Sequence, residues 1–302
     1  MCQHDTPRLR LDTLWEEVVH ERDIALLRED EVTDEALKKH QIQRIQCDFE
    51  RLDDERANLS LKPPILFHPP PAEVLERHPV DVEAIGNARE QEEHMQFRDY
   101  NPPTDPEEFD RGYWTPVHCA REVSQYLKAL VFGFPRIDVP QTLVEKCKMT
   151  SVSLPNPLLS VIRGLDGYIP EHHKQYWATT LVLEYEMEND MLVHPHVILM
   201  TVQSCNGKDG SMLLGVLAPI IAAMRNRANQ PKVDEDGEEL LPRQLEFEKE
   251  ERFPVLMVSL LGPQHGRLFY VCMDGGNLMI RQSDLFLVLK ERTARPGTYS
   301  CE

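Results

Sequence analysis

The chain carries four carboxylates that could act together, Glu122, Asp166, Glu184 and Glu186, with Lys208 further along. Converging carboxylates plus a lysine are what metal-assisted phosphodiester hydrolysis requires. The carboxylates hold Mg²⁺, and the lysine orients water or stabilises developing charge. A second set is made of histidines. His194 and His196 are two apart, so on a strand they share a face. His172 and His173 lie upstream and His265 lies in a later turn. With Asp166 or Glu186 these could bind a metal or line a small-molecule pocket, but no spacing among them is diagnostic.

Two further candidates are weaker. Ser204, Cys205 and Ser211 have no nucleophile elbow of the G-x-S-x-G kind. Cys205 lies near a predicted helix start, which favours a thiolate, but small apolar packing is the commoner role. The stretch from Asn206 to Ser211, NGKDGS, joins a predicted strand to a predicted helix and invites a phosphate-loop reading. A P-loop needs a glycine where Val202 stands and Ser or Thr where Asp209 stands, so the pattern fails. A weaker anion site at the helix N-terminus, or a plain connection, is left.

The elements that must position these residues are best marked between Val193 and Ser283. Val197 to Val202 is a nearly continuous apolar run, as in a strand buried on both faces. Asn206-Gly207 and Asp209-Gly210 mark a loop. Ser211 is placed to cap a helix carrying Leu214, Leu217, Ile221 and Met224, with a kink or break expected near Gly215 because Pro219 lies inside it. Arg225 and Arg227 fall near its end, where positive charge suits the helix dipole. Phe253 to Leu261, Arg267 to Met273 and Leu278 to Gln282 read as a three-strand antiparallel meander turned at Gly262–Gly266 and Asp274–Asn277. Upstream, Val117 to Phe132 predicts a helix ended by Gly133. Pro140 to Met149 suggests a short helix, Leu158 to Ile162 a short apolar run, Gly164 to Pro170 a strand edge, and Tyr176 to Met187 an alternating strand. Pro231 to Glu251 reads as an exposed loop or a continuation of the preceding helix.

This gives an α/β (or α+β) domain: a mixed sheet with flanking helices, a C-terminal antiparallel meander and a helical N-terminal extension. The chain divides into a charged helical region over 1–61, a proline-rich and acidic linker or strap over 62–112, the α/β core over 113–290 and a tail over 291–302. In the first region, Leu14, Val18, Val19, Ile24 and Leu27 form one apolar stripe. Thr33 is placed to cap a second helix carrying Leu37, Ile42, Ile45, Phe49 and Leu52. These helices either pack on the domain or serve a protein partner.

Composition narrows the classes. The formal charge is −18, from 51 acidic and 33 basic residues, which disfavours broad nucleic-acid binding without excluding a local basic groove. Seven scattered cysteines without a CxxC pair suggest reduced thiols. The N-terminus has no apolar signal segment, and no apolar stretch approaches the roughly 20 residues that span a bilayer. The cytoplasm or nucleus, with no membrane association, is the default expectation.

The order of elements, a helix with an acid, a strand with Asp, a strand leading to an acid and a lysine, a helix and then paired strands, resembles PD-(D/E)XK nuclease-like domains. The stretch from Phe253 to Val271, with Pro254, Val258, Gly262 and His265, resembles the closing strands of their fungal branch. The resemblance covers residues 117–285. It implies Asp166 as the first motif acid, Glu122 as the helical acid, and Asp166 with Glu122 as the metal pair. It places Gln203 where the second acid belongs and makes Lys208 the nearest lysine. Gln203 is neutral, and Lys208 follows it at five residues instead of two. The leading expectation is therefore a nuclease-like α/β domain without catalysis that acts through protein binding, with no cofactor. The alternatives are a Mg²⁺-dependent nuclease using Asp166, Glu186, Gln203 and Lys208, and a small-molecule enzyme built on His194, His196 and His265.

Overall fold

The structure is a computed structural model that describes residues 6–27, 30–50, 61–67, 69–78, 115–133, 140–152, 164–168, 176–186, 194–234 and 236–288. The run Leu158 to Ile162, His172, His173, most of the 62–112 connector and the 291–302 tail lie outside the described residues.

In chain order the elements are α1 (Pro7–Leu14), a π-helical turn (Trp15–His20), α2 (Asp34–Lys39), β1 (Ile42–Gln46), α3 (Ala72–Glu76), α4 (Pro116–Phe132), α5 (Leu143–Lys146), β2 (Met149–Ser151), β3 (Gly167–Tyr168), β4 (Tyr176–Tyr185), β5 (Val197–Asn206), α6 (Leu214–Ala228), β6 (Val255–Gly262), β7 (His265–Asp274), β8 (Asn277–Gln282) and β9 (Phe286–Leu287). The strands form one mixed sheet of order β1-β8-β7-β6-β5-β4-β2, with β3 on β4 and β9 on β7. The β1–β8 and β5–β6 pairs are parallel. The expected meander β6-β7-β8 is antiparallel throughout.

The fold class is the expected α/β arrangement, and its core has a specific layering. One sheet face takes Val197, Leu199, Val255, Met257, Val271 and Ile280, and α6 lies against it. Helix α6 is apolar all round, as a helix buried on every side must be. Its outer flank is covered by α1 and the π-helical turn, whose Leu11, Leu14 and Val18 are fully buried. Each such side chain contributes about 1.5–3 kcal/mol. The other face takes α4, through Ala120 and Val123 against Met200, Val202 and Leu260. Beside it Ile65 and Phe67 pack on Tyr270, Cys272 and Met279. No helix among the described residues is long and apolar enough to cross a membrane.

Three local expectations need correction. The second N-terminal helix, capped by Thr33 as expected, stops at Lys39. Gln41 then adopts a φ of 48°, and Ile42 to Gln46 pair with Leu278 to Gln282 as a strand. Tertiary pairing decides here, because IQRIQ has neither a clean helical nor a clean alternating pattern. The residue at the N-cap of α6 is Leu213, without a side-chain cap. The Ser211 hydroxyl instead donates to the Lys208 carbonyl at 2.9 Å. Finally, α6 runs on through Pro219. A proline cannot donate to the carbonyl four residues earlier. That carbonyl, of Gly215, is taken by the Gln203 side-chain amide at 2.9 Å.

Candidate functional site

Strand β4 is the ruler for the predicted carboxylates. Asp166 accepts a hydrogen bond from the Thr179 backbone N–H at 2.7 Å, next to the start of the strand. Glu186 follows the other end, where its backbone N–H donates to the Lys148 carbonyl at 3.0 Å. At about 3.3 Å per residue, the strand from Thr179 to Glu186 spans roughly 20 Å. Asp166 and Glu186 therefore do not converge. Glu184 is buried and bound to Arg227 at 2.8 Å. Glu122 rides on α4, on one face of the sheet. Asp166 lines a cleft with Val18, Arg22, Leu214 and Ala218, against α6 on the opposite face. The implied metal pair Asp166 and Glu122 is thus split by the sheet. The cleft holds about 30 Å³, room for a water or two. It closes on Gly164, whose φ is +98° and where a Cβ would lie 2.6 Å from Val19 Cγ1.

Gln203 is 3% exposed, and its amide group spans three partners. Besides the Gly215 carbonyl, it reaches Ser259 Oγ at 3.3 Å and Thr201 Oγ1 at 3.4 Å. Gly215 must lack a side chain, because a Cβ would meet Gln203 Oε1 at 2.3 Å and Trp177 Cβ at 2.9 Å. The position that would carry the second motif acid is therefore occupied by a core amide serving the Pro219 defect.

Lys208 pairs with Glu31 at 3.2 Å, on the hairpin before α2. The surrounding loop points carbonyls at cations. Arg267, 3% exposed, donates to Ser211 O at 2.7 Å and Lys208 O at 2.9 Å. Arg44 donates to Gly210 O at 2.7 Å. A phosphate cradle needs backbone N–H groups turned inward. Here the guanidinium groups are committed to carbonyls, which makes this a clamped connection. Neither arginine stood out in the sequence, since Arg44 falls in the predicted second helix and Arg267 at the start of a predicted strand, where a charge reads as solvent-facing. Cys205 is partly buried against the main core, in line with small apolar packing.

The histidines split into two places. His265 lies at the β6–β7 turn, with Nδ1 3.3 Å from the Gly262 carbonyl. His194 and His196 precede β5, whose first residue Val197 pairs with Val255 at the far end of β6. The length of β6, about 20 Å, separates the two places. The pocket built on all three is not assembled. What forms instead is a ring cluster. The His194 and His196 rings stack at 5.4 Å with 16° between planes. Tyr185 lies edge-on to both, at 5.2 and 6.0 Å. Phe67 lies 5.3 Å from His196 and 6.0 Å from the fully buried Tyr270. Burial first, and then His194, hold the His196 imidazole down to about 4. Phe67 was missed because it falls inside KPPILFHPPP, which reads as a spacer.

No protein-family model, no curated protein and no solved structure matches this chain, so the geometry alone carries the functional argument.

Proposed function

We propose that this chain is a non-catalytic, nuclease-like α/β domain that acts by binding another protein. The observation that supports it is Gln203, a buried amide spent on the Gly215 carbonyl where the nuclease-like pattern needs an ionised acid. Lys208 on Glu31, and Asp166 and Glu186 at opposite ends of β4, agree with that reading. The five described cysteines are free thiols, which suits the cytoplasm or nucleus.

The binding surface follows from β1. The N-terminal segment buries Leu14, Val18, Val19 and Ile24 of its apolar stripe in the core, with Leu27 exposed, and the edge strand lies beside it. Leu278 N–H donates to Gln41 O, and Cys47 N–H donates to Gln282 O. In a parallel ladder these bonds turn the odd-numbered residues of β1 toward β8 and the N–H and C=O groups of Ile42, Arg44 and Gln46 outward. Among the described residues none bonds to those outward groups. Ile45 is 37% exposed on the same strand. Asp34, Asp48 and Asp284 flank it, in a chain of net charge −18. The partner is an extended, basic segment that adds a strand to this edge.

Two experiments test the reading. Incubation with single- and double-stranded nucleic acids plus Mg²⁺ or Mn²⁺ gives no cleavage above that of Asp166→Ala and Lys208→Ala controls. Cleavage that disappears in Asp166→Ala overturns the non-catalytic assignment. Basic β-forming peptides bind the full chain, and Arg44→Pro abolishes that binding while Arg44→Ala weakens it less, because only proline removes the outward N–H. Equal effects of the two variants sink the edge assignment.

A further inference from the structure

We propose that His194 and His196 form a two-imidazole site for a borderline divalent transition metal of the Cu²⁺, Ni²⁺ or Zn²⁺ class, at the entrance to β5. The two residues project from the same face, with rings stacked at 5.4 Å. Imidazole suits these ions and is a poor choice for Mg²⁺ or Ca²⁺.

The backbone beneath the pair is fixed. Pro195, buried between the two histidines, has a locked φ. The buried Arg227 guanidinium donates to Pro195 O at 3.2 Å and His196 O at 3.5 Å. Its positive charge is countered by Glu184 at 2.8 Å, which lowers the repulsion a bound cation would meet. Phe67 supports the His196 ring from the connector, and Tyr185 braces both rings from β4. The fixed backbone and the held His196 ring reduce the ordering cost of binding, which falls on the His194 side chain.

Two nitrogens at about 2.0–2.1 Å from one tetrahedral ion lie about 3.3 Å apart and approach it from different directions, whereas these two rings are nearly parallel. His194 is exposed, so binding requires its side chain to turn until both nitrogens face one ion. Among the described residues no group of three His, Cys, Asp or Glu side chains gathers here or elsewhere. The site therefore supplies two ligands and leaves the other positions to water or to a donor from another molecule.

The test is titration of the full chain with CuSO₄, NiCl₂ and ZnCl₂ by calorimetry, with electron paramagnetic resonance of the Cu²⁺ form. One equivalent binds most tightly, the spectrum shows coupling to two nitrogens, and copper exceeds zinc in affinity. His194→Ala, an exposed substitution that leaves the core intact, weakens binding by about tenfold or more. His196→Gln, which retains a polar group of similar length, does the same, and His265→Ala changes nothing. Unchanged affinity in His194→Ala, loss on His265→Ala, or no stoichiometric binding overturns the proposal.

Discussion

Arg227 and Glu184 meet at 2.8 Å with side chains 1% and 10% exposed, so the end of α6 is tied to β4 by an ion pair inside the protein. Arg227 also donates to Gln230 Oε1 at 2.7 Å and lies over the Phe247 ring at 5.1 Å. Its charge is thus matched and its donors are used. Desolvation still pulls the guanidinium below its ordinary range, against the pull of Glu184.

Removing one partner leaves a buried charge uncompensated. Glu184→Ala is expected to cost about 3–5 kcal/mol, while the double replacement Glu184→Leu with Arg227→Met costs far less. Urea denaturation of the three proteins checks this. A single variant within about 0.5 kcal/mol of the parent would contradict the packing described for this pair.

Gln203 and Pro219 are coupled through a third group, the Gly215 carbonyl. Gln203→Leu strands that carbonyl and should destabilise by about 1–3 kcal/mol. Pro219→Ala restores a helical N–H to the same oxygen. In that background Gln203→Leu should cost less, with a coupling of at least about 0.5 kcal/mol in a double-mutant cycle. Strict additivity would show that the amide does not serve the proline gap.

His196 sets an acid-side dependence. Its folded imidazole is held to about 4, below the value near 6.5 of an unfolded chain. Between those values the unfolded state binds the extra proton, so this contribution is complete above about 6.5 and is lost as pH falls toward 4. Burial acts first in the lowering direction, followed by His194 and, more weakly, Arg227, while Glu250 opposes it. The stability difference between the parent and His196→Gln should therefore shrink from pH 7 to pH 4.5 in paired thermal melts. A constant difference across that interval refutes the assignment.

Much of the sheet was legible because central strands buried on both faces leave unbroken apolar runs, as in Val197 to Val202 and Phe253 to Leu261. The turns were legible because Asp274 to Asn277 and Gly262 to Gly266 carry glycine where the chain reverses. Strand β1 was not, since Gln43, Arg44 and Gln46 are polar and its identity as a strand depends on β8. Of the site residues, Lys208 was placed in a strand-to-helix loop and Asp166 at a strand edge, but the separation of Asp166 from Glu186 depends on strand length and register, which spacing alone does not give. Arg227 read as a solvated dipole partner because its burial is created by Glu184, Gln230 and Phe247 from three other segments. Gln203 acquired its role from a proline on the following helix.

The union of β1 with β8 also sets a timetable for the ribosome. Gln46 bonds Asp284 across 238 residues of chain. At about 5–20 residues per second, the first strand emerges some 10–50 s before its neighbour exists. During that interval the newborn polypeptide carries an unpaired β segment, which makes a chaperone's transient grip most useful over Ile42 to Gln46.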